Sequence, residues 1–529
     1  MSRSSIPLLS VENLETHFAG SDGTVRAVDG ASFTVDSGEV VGLVGESGSG
    51  KSVTARSIIG LEAPGEIVGG SISFDGTDLT SVADRVRRQY RGDRIGMVFQ
   101  DPTATLNPVF DVGEQIAEAL RTHDTERQRL SDYMQLPFVS DRNAWADHRE
   151  RAIELMRQVD IVDPAARVGD YPHEFSGGMQ QRAMLAIALA GDPELLIADE
   201  PTTALDTTTQ ATILDQLEGL VEQRDTAVLL VTHDLGIIAE RCDRVVVLYG
   251  GQVMERGPTE QILTNPQHPY TRGLLDCLID GTDHQTRLTT IDGTVPERFS
   301  ETGCPFASRC EYATSDCRNV DPPVVDCGPN HAVACGELDA VPAADQRVES
   351  SGSAQLHEQS NDSTQQYERS NGQSPDRGSA GRTRSTTLND TASQARPDCQ
   401  GTGTPVVAAR DLSKRFEVTD SWYDQLRGNR QYLTAVEDVD VTVDRGETLG
   451  VVGESGSGKS TLADLLTGLE APTGGQIKLA GEPVGTVDER STEQLAQIGV
   501  VFQNTQASIN PRSTVAEAVG EPLREQGWD

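Results

Sequence analysis

Residues 40–52 read VVGLVGESGSGKS, an apolar run followed by a glycine-rich turn that ends on Lys51-Ser52. The run Val40–Val44 suits a strand buried on both faces. Gly45, Glu46, Ser47, Gly48, Ser49, Gly50, Lys51 and Ser52 are a full match to the phosphate-binding loop. Its glycines let backbone N–H groups converge on phosphate oxygens at the positive end of the following helix. In such a loop Lys51 reaches the β- and γ-phosphates, and the Ser52 hydroxyl ligates Mg2+. The stretch predicts an α/β fold that binds ATP with Mg2+.

The loop occurs twice. Gly450–Ser460 reads GVVGESGSGKS, so Gly453, Glu454, Ser455, Gly456, Ser457, Gly458, Lys459 and Ser460 repeat the first copy. An Ala-Val-Asp/Glu segment precedes each loop, at Ala27–Asp29 and Ala435–Glu437, and a VFQ follows each, ending at Gln100 and Gln503. Matching offsets mean two related domains, 5–263 and 406–529. Between them, 337–405 is rich in Ser, Gln, Asp, Gly and Arg and poor in apolar residues, which predicts a flexible tether. In the first domain the apolar strand Leu195–Asp199 leads into Glu200. Asp199 suits the Mg2+ shell and Glu200 suits polarisation of an attacking water. An acid pair at a strand end can also be a simple cap, but the phosphate loop upstream favours the chemical reading.

Composition excludes other classes. The 529 residues carry 44 Lys+Arg against 82 Asp+Glu, a net charge of −38, which argues against a nucleic-acid surface. Lysine occurs only at Lys51, Lys414, Lys459 and Lys478. High acidity with almost no lysine reads as a cytosolic protein of a salt-loving organism, where dense salt screens self-repulsion. An acidic disordered chain is the other reading, and the apolar strands weigh against it. The start lacks the apolar stretch of a signal peptide. The longest apolar runs, such as Ala183–Ala190 and Ala227–Val231, fall far short of the roughly 20 residues that span a bilayer.

Phe175–Arg182 reads FSGGMQQR. This resembles the signature of the ABC ATPase family, commonly LSGGQ, with Phe175 for Leu and Met179 for Gln. On physical grounds Ser176 can cap the following helix, while Gly177 and Gly178 permit close approach to a phosphate. The resemblance implies that this loop faces the γ-phosphate held by the opposite domain of a dimer. It places Gln100 at the Q-loop, sensing Mg2+ and the membrane subunit, and Asp206, in EPTTALD, at the D-loop. It makes His233, about 30 residues beyond Glu200, the switch histidine; a lone histidine after a strand is otherwise usually structural. Phe18, and Phe416 in the second copy, resemble the aromatic that stacks on adenine, with a core role as the other reading. Ser460 and Gln503 repeat the Mg2+ positions.

The implied fold is a P-loop NTPase core of the ABC type, in tandem. Each copy is an α/β core around a mainly parallel sheet with an antiparallel β subdomain. A helical insertion near 105–175 would dock on a permease. The tract Thr122–Asp147 is longer and more polar than that insertion needs.

The resemblance narrows at Asn265–Leu275, NPQHPYTRGLL, which looks like the tail of dipeptide and oligopeptide importers. Within the following segment, 264–336, five of the eight cysteines lie between Cys304 and Cys335. Clustering in a cytosolic protein reads as a metal site before disulfides. The spacing of Cys304, Cys310, Cys317 and Cys335 is similar to the subfamily module, which implies a 4Fe–4S cluster on four thiolates. Structural zinc, with four thiolates or with His331 replacing one, is the alternative, and a metal-free set is a third reading. Cys327 has no counterpart in the pattern. Lying outside the phosphate-binding motifs, the module implies a role in stability or docking and not in hydrolysis.

The expected function is an ATP-hydrolysing importer subunit at the cytoplasmic membrane face. It would work with two permeases, an extracellular binding protein and a dimer partner, and not with nucleic acid. The rival is a soluble ABC protein acting on DNA or ribosomes. In 406–529 no second signature, Asp-Glu strand end or switch histidine appears, so the Lys459 site could borrow Ser176-Gly177-Gly178 but lacks its own glutamate. A truncated product of a longer gene, with apolar surface exposed in the half-domain, is the expectation.

Overall fold

The computed structural model describes residues 6–20, 23–123, 142–202, 207–277, 291–296, 299–300, 302–341, 405–418, 431–453, 456–502, 510 and 512–525. Asp206, Gln503, Glu454, Ser455, most of the 337–405 tether and 124–141 of the polar tract lie outside them. The chain divides into two units, Met1–Gly372 and Gln373–Asp529.

In the first unit, β1 (Leu9–Gly20), β2 (Gly23–Val35), β4 (Glu66–Phe74) and β5 (Thr77–Asp78) form an antiparallel sheet in the order β2-β1-β4-β5. The main sheet holds β3 (Val40–Val44), β6 (Ile95–Val98), β7 (Leu195–Asp199), β8 (Ala227–Thr232), β9 (Arg244–Tyr249), β10 (Gln252–Pro258), β11 (Val324–Gly328) and β12 (His331–Ala334). Their order is β11-β12-β10-β9-β3-β8-β7-β6. The run β9-β3-β8-β7-β6 is parallel and β10, β11 and β12 are antiparallel. The parallel strands read as continuous apolar runs because both faces are covered. Leu43, Leu195, Ile197, Leu229 and Val231 pack toward the antiparallel sheet, and Val44, Leu196, Ala198, Leu230 and Val247 toward the helical layer.

That helical layer is the expected insertion. Helices Val112–His123 and Arg142–Gln158 pack on each other and on helix Gly177–Ala188. Phe175 is buried in this core and Met179 packs against it. Position 175 therefore needs apolar bulk rather than leucine in particular. Ser176 caps the helix, its Oγ accepting the Met179 N–H at 3.4 Å.

The segment after the core does not stand apart. Its hairpin β11–β12 extends the main sheet beside β10. The carboxylate of Glu255, on β10, is wholly buried and accepts the N–H groups of Gln267 (2.8 Å) and His268 (2.9 Å). Its Oε1 lies 2.7 Å from His331 Nε2. An unpaired buried carboxylate would be costly, so these three partners tie the tail and the hairpin to the core.

In the second unit, β13 (Val407–Val418), β14 (Gln431–Val443), β15 (Gly474–Leu479) and β16 (Glu482–Val484) form an antiparallel sheet in the order β14-β13-β15-β16, with helix Lys459–Thr467 beside it. Among the described residues of this unit no parallel strand forms. The counterparts of β3 and β6 are open to solvent: Val452 is 92% exposed and Val501 96%. The expected apolar exposure is present, since a sheet strand with no neighbour has nothing to bury against.

Candidate nucleotide site

The first loop leaves β3 at the sheet's centre. Gly50 adopts φ +99°, and a Cβ there would sit 2.3 Å from the carbonyl oxygen of Ala27. In the second loop Gly458 adopts φ +92°, with a Cβ 2.2 Å from the Ala435 carbonyl. The Ala-Val segment and the loop glycine thus recur together because one backbone leans on the other, and any side chain would force them apart. In each loop the lysine folds back on its own backbone. Lys51 Nζ donates to the carbonyls of Gly45 (2.8 Å) and Glu46 (3.0 Å), and Lys459 Nζ to Gly453 (2.6 Å).

Four further groups meet the first loop at the carboxyl ends of the parallel strands, where α/β sheets bind ligands. Asp199 ends β7, wholly buried, and its Oδ1 accepts the Ser52 hydroxyl at 2.9 Å. Its Oδ2 is buried without a hydrogen-bond partner. Burial raises the Asp199 pKa, opposed by the Ser52 hydrogen bond. Burial likewise lowers that of Lys51, while Glu200, Asp199 and Glu46 act to raise it. A buried carboxylate oxygen with no partner, beside a serine hydroxyl, is a donor set that suits a hard divalent cation such as Mg2+.

Glu200 follows at φ +48°, a left-handed conformation rare for a residue with a side chain and concentrated at functional sites. Its Oε2 accepts Gln100 Nε2 at 2.7 Å, and its Oε1 lies 3.2 Å from His233 Nδ1. Gln100 follows β6 and His233 follows β8, so three neighbouring strand ends deliver one cluster. His233 is 60% exposed and can meet a ligand from solvent. The arrangement can hold a triphosphate and a cation and place a carboxylate against water.

The structure does not bring every expected residue here. Ser176, Gly177 and Gly178 lie at the start of the helix Gly177–Ala188. Phe18 is half-buried on β1, its ring close over Gly65. In the second unit Lys414 Nζ lies 4.9 Å from the centre of the Phe416 ring, and Ser460 is exposed.

Cys304, Cys310, Cys317 and Cys335 line one cavity of about 220 Å3. Burial pushes the Cys304 thiol up to about 12, with Cys310, Cys335 and Cys317 acting in the same direction. Among the described residues no three His, Cys, Asp or Glu side chains are already drawn together to grip an ion. His331 is no ligand candidate: it is buried against Glu255 and does not line the cavity, which removes the mixed zinc site. Cys327 is exposed on β11, outside the cavity.

Two residues of the segment after the core had no assigned role. Arg309, between Cys304 and Cys310, forms a two-pronged ion pair with Glu46 of the loop at 2.6 and 3.2 Å. Tyr270 Oη, from the NPQHPY motif, accepts the Glu46 N–H at 2.9 Å. The cysteine module is therefore in contact with the phosphate loop, contrary to its separation in sequence. Only the arginine between two cysteines and the tyrosine after a proline could have signalled it.

A family model described as "ABC transporter" matches residues 28–203 and 436–528, and one described as "Oligopeptide/dipeptide transporter, C-terminal region" matches 254–317. The chain is 38% identical over 528 residues to an oligopeptide transport ATP-binding protein of Mycobacterium tuberculosis, covering 99% of this chain and 76% of that protein. It is 47% identical over 332 residues to a probable peptide ABC transporter ATP-binding protein of Sinorhizobium fredii, covering 62% and 94%. It is 43% identical over 317 residues to a dipeptide transport ATP-binding protein of Haemophilus influenzae, covering 60% and 91%. Two loops of one geometry, an Asp-Glu strand end joined to glutamine and histidine, and these matches together place the chain in the ABC transporter family of ATP-binding proteins.

Proposed function

We propose that this chain is the ATP-hydrolysing subunit of an importer for peptides, working at the cytoplasmic face of a membrane through two separate permeases and an external binding protein. The cluster Ser52–Asp199 and Gln100–Glu200–His233 around the Lys51 loop carries the ATPase reading. The peptide class rests on the tail and on the names of the relatives. Among the described residues no helix is long and apolar enough to cross a membrane, which fits a subunit that leaves the path to others. Inactivating the gene should abolish uptake of a labelled peptide, and the intact gene should restore it. Unchanged uptake of di- and oligopeptides would refute the peptide class.

In this reading Lys51 binds the β- and γ-phosphates, and Ser52, Asp199 and Gln100 hold Mg2+, which when bound neutralises phosphate charge. Glu200 orients and polarises the attacking water, and His233 contacts the γ-phosphate. Ser176, Gly177, Gly178 and Asp206 would serve the opposite site of a dimer, and Phe18 and Phe416 would stack on adenine. The Lys459 loop, with Ser460 and Gln503, would bind a second nucleotide.

The four thiols of the cavity would hold a 4Fe–4S cluster. Convergence of four cysteines on one cavity fits the group, and its assembly must release the proton that burial favours on Cys304. Anaerobically purified protein should be brown, with about four irons per chain. Stoichiometric zinc without iron would assign the cavity to zinc. The charge of −38 further supports a saline cytoplasm. Melting temperature should climb steeply between low and molar KCl, and a flat curve would remove that reading.

A further inference from the structure

Glu46 is held at three points. Its N–H donates to Tyr270 Oη (2.9 Å), its carbonyl accepts Lys51 Nζ (3.0 Å), and its carboxylate is gripped by Arg309. The Arg309 side chain is only 5% exposed. Its guanidinium also donates to Tyr249 Oη at 3.2 Å and to the Ile291 carbonyl at 3.3 Å. It lies 5.8 Å from the Tyr249 ring centre and 5.9 Å from that of Phe306. Tyr270 is fully buried and packs on the same two rings. This rigid setting belongs almost entirely to the segment after the ATPase core.

The chemistry of the loop gives the contact a purpose. A phosphate-binding turn that carries a carboxylate repels the triphosphate it must receive. A buried two-pronged guanidinium cancels that charge and turns the carboxylate aside, and it resists salt screening better than an exposed pair would. The tyrosine hydroxyl occupies a loop N–H and so fixes the direction of the turn.

We propose that Arg309 and Tyr270 are positioning residues of the nucleotide site, through which the cysteine-bearing segment sets the loop's affinity for ATP. This rests on the reading that the Lys51 loop binds ATP, but it does not require a metal in the cavity. It also differs from a stabilising role, because it predicts a dependence on phosphate charge.

The test uses the full chain carrying Lys459→Ala, so that binding reports the first loop alone. MgATP and MgADP affinities are measured by calorimetry beside thermal melts. Arg309→Gln should weaken ATP about tenfold and ADP about threefold, the charge-assisted pair being lost and the carboxylate freed. Adding Glu46→Gln should return ATP to within about threefold of the parent. Tyr270→Phe should weaken both nucleotides by about threefold, as one hydrogen bond is lost. A well-folded Arg309→Gln variant that binds ATP like the parent overturns the proposal. So do equal losses for ATP and ADP that Glu46→Gln does not relieve, since that is the pattern of general destabilisation. Should Arg309→Gln fail to fold, Tyr270→Phe decides, and unchanged ATP affinity there overturns the proposal. A parent that binds no ATP refutes the functional reading instead.

Discussion

Glu200→Gln is expected to keep nucleotide binding and to lower steady-state hydrolysis by roughly 10²–10⁴-fold, the range for losing a positioned general base. The side chains are nearly isosteric, so Lys51, Ser52 and Asp199 stay in place. What changes is that one carboxylate oxygen becomes an amide nitrogen. The hydrogen bond from Gln100 Nε2 (2.7 Å) and the contact with His233 Nδ1 (3.2 Å) both converge on this group. The strained φ of +48° shows that the fold spends stability to hold the residue there. Phosphate release and nucleotide binding, measured on the same purified complex with its permeases, check this. Hydrolysis within tenfold of the parent would remove Glu200 from its role.

Lys51→Ala should cost still more in binding, roughly 100-fold or greater in MgATP affinity, measured with the second loop silenced by Lys459→Ala. Lys51 Nζ rests on the carbonyls of Gly45 and Glu46, and Asp199, Glu200 and Glu46 all favour its charge. Without it, the floor of the site presents carbonyl oxygens and two acids to a polyanion. Lys51 and the Gly45 carbonyl are buried, so the variant also leaves an acceptor unpaired and the melt should fall somewhat beside the affinity. Parent-like affinity in a folded Lys51→Ala protein would show that the loop is not the nucleotide site.

The strand ends of the candidate site were legible in the sequence because each is a short apolar run leading to a chemically distinctive residue: Lys51 after β3, Gln100 after β6, Glu200 after β7 and His233 after β8. Period and chemistry agree there, and the parallel order that joins them follows from the α/β pattern. The signature helix was equally readable, since Ser176 is a capping residue ahead of an apolar helix. The segment after residue 263 was harder. Nothing in a local pattern tells that β11 and β12 join the main sheet, because antiparallel edge pairing is a long-range event. Arg309, between Cys304 and Cys310, was given no role, because its partner Glu46 lies 263 residues away. The contact between the module and the loop was illegible for that reason. His331 was misplaced as a possible zinc ligand because its partner, Glu255, looks like one more exposed acid in a very acidic chain.

The buried Glu255 also puts a clock on synthesis. Its ring partner His331 comes 76 residues later. At roughly 5–20 residues per second, that is a wait of about 4–15 s after the carboxylate is made. Until then the edge of the main sheet carries a charge that must stay hydrated, so β10 cannot be sealed. Arg309 arrives in the same interval, 263 residues after Glu46. That moment still precedes the second loop, which begins at Gly453. Two near-identical glycine loops in one chain are thereby separated in synthesis, and the earlier one's partners Tyr270 and Arg309 are made before its double.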